Sequence, residues 1–244
     1  MKMLHPLLLP LVIASAAFAP ESSADAEPGI DAAAGCPVAA VQPEAGSRYA
    51  DPDRNAKVRL RVDPESPTQA AELDARITAQ PDNVSLLTAR AFLHSRRGEA
   101  NAAAVLYQRA LALDQDPGHV LWSWGWSELN LGRPDCALAR WQQARMKTGI
   151  PNAFWVGYSY AIAYWALGER ELAVRWYDAA AIAAPQRYAS HPALTVGIGH
   201  WNDRERALAE QVFTAWEKVR ADETSGPRAQ RRLNVTTSTS RNAG

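Results

Sequence analysis

The sequence predicts an all-α chain whose middle is built from about three helix-turn-helix units. Capping helices, an N-terminal arm and a C-terminal tail flank it. Three observations carry this. Gly98, Gly132, Gly168 and Asn202 each close one apolar helical stretch and precede the next, at spacings of 34, 36 and 34 residues. After each Gly the same side chains recur: Ala103, Ala137 or Ala173, then an aromatic (Tyr107, Trp141, Tyr177), then Ala110, Ala144 or Ala180. Ahead of each Gly a small residue (Ala91, Gly125, Ala161) takes the slot where two helices approach most closely. Small residues there let the backbones come together, and the rings fill the space beside them. Gly supplies the left-handed turn that ends the first helix of each unit, and Pro185 stops the last one.

In chain order, Lys2 precedes an apolar run from Leu7 to Ala19 that ends in Ala17-Phe18-Ala19. A positive start, a short apolar stretch and small residues near a cut are the layout of a secretory signal peptide. The run is shorter than the about 20 apolar residues a membrane helix needs. Pro20 makes a poor junction, so the expected signal covers 1–26, with cleavage after Ala24 or Ala26. Ala33-Ala34-Gly35-Cys36 loosely resembles a lipid-attachment motif, but Asp25, Glu27 and Asp31 separate it from the apolar run.

Residues 27–66 are rich in Pro, Ala, Gly and acids and read as a flexible arm. Within it, Val58-Arg59-Leu60-Arg61-Val62 alternates apolar and basic, as a short extended strand does. The repeat region spans 67–222, opening with a half-unit (Thr68–Gln80, closed by Pro81) and ending in a degenerate unit (His191–Asp222). Residues 223–244 form an expected disordered tail that carries four Arg and, from Thr224 on, no acid.

Export makes Cys36 and Cys136 candidates for a disulfide that pins the arm to the repeats; the other reading is two unrelated thiols. Two cysteines are too few for a disulfide-built miniprotein or a multi-Cys zinc module. Lys+Arg and Asp+Glu balance at 26 each, which removes the basic signature of a nucleic-acid binder.

The period and the small…Ala-x3-aromatic…Ala pattern, over about Val84 to Pro185, resemble the tetratricopeptide repeat family. One helix pair cannot bury its apolar face alone, whereas three stacked pairs share a continuous core. The resemblance implies a short right-handed α-solenoid with a concave side lined by the first helix of each pair.

Helical spacing divides those first helices into two faces. Leu121, Trp124 and Gly125 face the paired helix in the second unit, and Gly157, Tyr160, Ala161 and Tyr164 do so in the third. The opposite stripe carries Trp122 and Trp126, then Trp155, Tyr158, Ile162 and Trp165, with Phe92 from the first unit. By resemblance this stripe is the ligand groove, and with His119 at its edge it supplies the candidate site. One reading makes the rings ordinary core between repeats. A second makes the strip a binding surface with Trp and Tyr anchors. A third lays the arm's own Val58–Val62 segment in the groove.

The expected partner is a protein segment, from an envelope assembly or a secreted effector that the chain captures or inhibits. The alternative is a cell-wall or exopolysaccharide glycan stacked on the Trp faces, with His119, Ser123, Asn130, Asn152 and Ser159 as polar edges. Enzyme chemistry is not expected. His94, His119, His191 and His200 form no metal-ligand spacing, neither Cys lies in a C-x-x-C pair, and nucleophile-elbow and phosphate-loop motifs are missing. Glu128, on an otherwise apolar helix face, has two readings: a carboxylate of raised pKa, or, the favoured one, a group that reaches the groove rim or pairs with Arg140 or His94. No metal or cofactor is expected, no segment of the mature chain suits a bilayer, and the address is periplasmic or secreted.

Overall fold

The computed structural model describes residues 36–54, 56, 62–199 and 201–225. The expected signal peptide, most of the Val58–Val62 strip and the tail beyond 225 lie outside the described residues. Among those described, every regular element is a helix: α1 (Gln69–Ala79), α2 (Val84–Arg96), α3 (Ala100–Leu113), α4 (Gly118–Asn130), α5 (Pro134–Thr148), α6 (Phe154–Ala166), α7 (Arg170–Ala183), α8 (Pro185–Tyr188), α9 (His191–Gly197) and α10 (Asp203–Ser225).

The tightest packing joins α2 to α3, α4 to α5 and α6 to α7. The three connecting turns share one hydrogen-bond pattern. The amides of Glu99, Arg133 and Glu169 each donate to the carbonyl five residues back, on His94, Glu128 and Tyr164. Gly98, Gly132 and Gly168 sit inside these turns at φ of +78°, +81° and +83°, a left-handed conformation in which a Cβ would be strained. Within the pairs, the small residues act as the spacing requires. A Cβ on Gly125 would lie 2.2 Å from the Trp141 indole, and one on Gly157 3.0 Å from Ala180. Tyr107, Trp141 and Tyr177 are buried beside these contacts.

Proline and capping chemistry set the remaining ends. Pro134 opens α5, and Pro185 starts the single turn of α8 directly after α7. The Asn83 side chain caps α2 by accepting from the Leu86 amide. Before α10, Asn202 Oδ1 accepts from the Glu205 amide at 2.7 Å while Glu205 Oε2 accepts from the Asn202 amide at 2.9 Å. That reciprocal pair is a capping box, with Asn in place of the usual hydroxyl.

The arm departs from the expected flexibility. A disulfide joins Cys36 to Cys136 at the start of α5, and the following residues run across α5, α6 and α7. Gln142 donates to the Ala39 carbonyl, Val41 N–H donates to the Tyr164 hydroxyl, and Trp176 donates to the Val41 carbonyl. Tyr49 is only 1 % exposed and packs edge-on against Trp176. Asp51 then pairs with the loop before α6, through Asn152 and Phe154. The arm's composition is loop-like, but Val38, Val41 and Tyr49 pack on the helical core and, with the disulfide, fix this stretch.

Candidate functional site

The first helices of the three pairs each present two side chains one turn apart on one face: Phe92 and Arg96 on α2, Trp122 and Trp126 on α4, Phe154 and Tyr158 on α6. Together with Arg187 and Tyr188 of α8 and Trp201 and Glu205 at the entry to α10, they enclose a cavity of about 890 Å³. Ala56, Val62, Asp63 and Gln69 bound it on the arm side. Ring contacts knit the floor: Trp126 lies 5.2 Å from Trp201 and 6.1 Å from Tyr158, and Tyr158 lies 5.6 Å from Tyr188. The volume falls within the roughly 300–1,000 Å³ of ligand sites.

Of the eight residues the sequence nominates, the structure brings together Phe92, Trp122, Trp126 and Tyr158. The other four stand elsewhere, for identifiable reasons. With the two-residue insertion between the second and third units, Trp126 and Ile162 are equivalent positions, as are Trp122 and Tyr158. The lining pair therefore shifts one turn toward the helix N-terminus from each first helix to the next. A fixed register would place Ile162 in the strip; instead it is core. Trp165, further along α6, donates to Gln211 of α10 and lies under the Arg170 guanidinium. Trp155 is 0 % exposed because the arm covers it, and its Nε1 donates to Asp53 at 2.8 Å. His119 pairs with Asp114 at 3.3 Å, at the start of α4.

Glu128 takes a nearer partner than the two expected, with Arg140 also close enough to act on its charge. Its carboxylate meets Arg133 at 2.6 Å, whereas His94 turns to Glu99. Burial pushes the Glu128 carboxyl above its usual range, against the pull of Arg133.

Sequence reasoning missed Arg96, Phe154, Arg187, Tyr188, Trp201 and Glu205. The signal for Phe154 was available, since it precedes Tyr158 by four residues. Trp201 and Glu205 were marked only by the capping-box spacing at Asn202. Arg187 and Tyr188 follow Pro185 in a segment with no period of its own.

The electrostatics of the cavity are mixed. Burial raises the Glu205 carboxyl, and Arg96, 4.0 Å away, partly offsets that. Burial likewise lifts the Tyr158 and Tyr188 phenols, reinforcing the neutral state a tyrosine already has near pH 7. Arg187 hydrogen-bonds the Tyr188 phenol. The lining thus offers flat rings, neutral hydroxyls and four charged groups. Such a set can stack, hydrogen-bond and orient a ligand.

Among the described residues, no group of three His, Cys, Asp or Glu could hold a metal ion, and no helix is long and apolar enough to cross a membrane. Compared with known proteins, the chain matches no family model, no curated protein and no solved structure.

Proposed function

We propose that this chain is an exported binding protein of the tetratricopeptide type, and that its aromatic cavity receives a segment of a partner protein. On this reading α2/α3, α4/α5 and α6/α7 are three repeats of a right-handed solenoid, and α1 with α8–α10 caps it. The shared turn geometry at Gly98, Gly132 and Gly168 supports the repeat reading. The observation that carries the function is the oblique strip of rings from Phe92 through Trp122, Trp126 and Tyr158 to Tyr188. A concave aromatic surface of this kind is where an extended or helical segment anchors. The partner belongs to an envelope assembly, or is an exported effector that the protein captures. The Cys36–Cys136 disulfide supports an oxidising compartment, in keeping with a cleaved signal peptide.

A glycan is the second reading. Asp63, Gln69, Arg96, Arg187 and Glu205 set planar hydrogen-bonding groups among the rings, and such groups suit the paired hydroxyls of a sugar. In-cell photo-crosslinking with a probe at Gln69, on the cavity wall, separates the two. One recurrent protein adduct is expected; adducts to wall polysaccharide, with none to protein, would replace the leading reading by the second.

A further inference from the structure

The two residues that stretch the spacing from Gly132 to Gly168 to 36 fall in the turn between α5 and α6. That turn is where the end of the arm docks. The Asp51 amide donates to the Asn152 carbonyl, and the Phe154 amide donates to the Asp51 carbonyl, each at 3.0 Å. Phe154 opens α6, so its amide is one of those a helix leaves without an internal acceptor, and the arm supplies one. Asp53, 3 % exposed, then accepts from the Trp155 indole at 2.8 Å and from the Ala56 amide at 3.2 Å. Phe154 and Ala56 both line the cavity. The inserted turn and the arm thus build one stretch of its wall together.

The arm reaches this turn through contacts that begin at the disulfide. Cys136 lies in the first turn of α5, and the Cys36 amide donates to the neighbouring Asp135 at 3.0 Å. Further along α5, Arg145 is the relay. Its guanidinium meets Glu44 at 2.9 Å, donates to the Pro151 carbonyl of the inserted turn and lies near the Tyr49 ring. Between Cys36 and Tyr49 the other apolar anchors, Val38 and Val41, are only partly buried. Ordering so loop-like a stretch costs backbone entropy at every residue, so the covalent bond at its far end supplies much of the attachment.

We propose that the Cys36–Cys136 bond, acting through the arm, is the positioning element of the cavity. The oxidised chain holds the Asp51–Phe154 and Asp53–Ala56 contacts in place and binds its partner segment; the dithiol chain does not bind. Forming the bond takes one proton and one electron from each thiol. The two electrons and two protons convert the disulfide of a protein oxidant in the receiving compartment to a dithiol. Binding is thereby confined to chains oxidised after export. This rests on the reading that the protein is exported and that the cavity takes a partner segment.

Residue-resolved amide exchange on the full chain tests the wall, and photo-crosslinking from Gln69 tests the binding. Three forms are compared: oxidised wild type, Cys36→Ser with Cys136→Ser, and Arg145→Gln, which keeps the disulfide and removes the relay. In the double variant the Phe154 and Ala56 amides should exchange at least roughly tenfold faster, while amides of α2 and α3 keep their wild-type rates. The protein adduct from Gln69 should fall about as much, since affinity scales with the competent fraction. Arg145→Gln should raise the Phe154 rate by less. Unchanged Phe154 and Ala56 rates in the double variant overturn the proposal. Faster exchange with an undiminished adduct overturns the link to binding. Acceleration at every amide alike reduces the bond to overall stability; Arg145→Gln then decides, and an unchanged Phe154 rate in it overturns the proposal. No adduct from wild type, with Phe154 and Ala56 accelerated in the variant, overturns the partner-segment reading and leaves the wall assignment standing.

Discussion

Two aromatic regions of this molecule use the same residue types and end in opposite states. On the arm-covered flank, Tyr49, Trp155 and Trp176 are sealed, and the chain itself supplies an acceptor for each indole, Asp53 for Trp155 and the Val41 carbonyl for Trp176. In the cavity, Trp122 and Trp126 are nearly as buried, at 9 % and 7 % exposure, yet among the described residues neither indole has an acceptor. Burial alone therefore does not separate core from site here. What differs is whether the fold supplies the indole with an acceptor, although on the sealed flank the buried Tyr160 hydroxyl beside Trp176 is unpaired too. A buried indole without an acceptor costs about 1–3 kcal/mol, so the cavity rings are held at a cost that the sealed indoles do not carry.

The comparison can be broken hardest at the sealed flank. Trp155→Ala leaves a large void and takes one donor from the buried Asp53 carboxylate, which keeps the Ala56 amide. It should lower stability by about 3–5 kcal/mol in urea unfolding, as ring-to-Ala core changes do. Trp122→Ala should lose clearly less, because one side of that ring already faces a cavity. A loss at Trp122 as large as that at Trp155 would merge the two regions into one core.

Next in size is the bond that fastens the arm. Replacing Cys36 and Cys136 together by Ser should cost about 2–5 kcal/mol, the usual range for a bond closing a long loop. Limited proteolysis should then cut first between Cys36 and Tyr49. An arm that stays resistant would mean that Val38, Val41 and Tyr49 hold it without the bond.

The smallest effect is at Glu205. Burial raises its carboxyl above the usual range, so the native state takes up this proton before the unfolded chain does. Stability from this group is therefore full in acid, below the unfolded value, and is lost as pH rises through the folded one. Wild type should gain stability relative to Glu205→Gln as pH falls from neutral toward the ordinary carboxylate range. An unchanged difference across that window would show that Arg96 already keeps the group at its ordinary value.

The helix pairs were legible from the start. Gly98, Gly132 and Gly168 need their positive φ, Gly125 has no room for a Cβ, and Tyr107, Trp141 and Tyr177 recur at fixed offsets. These are local constraints, and one chain displays them. Half of the nominated site was equally readable, because Phe92, Trp122, Trp126 and Tyr158 lie on corresponding faces of the first helices α2, α4 and α6. The rest depended on relations between helices. One turn of slippage from each first helix to the next removed Ile162 from the strip. The entry to α10 brought in Trp201 and Glu205, and no intrahelical pattern encodes that approach. The arm misled for a compositional reason. Its Pro, Ala and Gly read as flexible, while its anchors are only a few side chains, each useful solely against α5–α7.

The most direct test of the account compares two ring-preserving changes by urea unfolding. Trp155→Phe removes a donor whose acceptor is the buried Asp53, whereas Trp122→Phe with Trp126→Phe removes two donors that have none. The first should lower stability by about 1–3 kcal/mol, and the second should leave it within about 0.5 kcal/mol of wild type. Equal losses, or a larger loss from the double change, would contradict the claim that the fold completes the indole chemistry of the sealed flank and not that of the cavity.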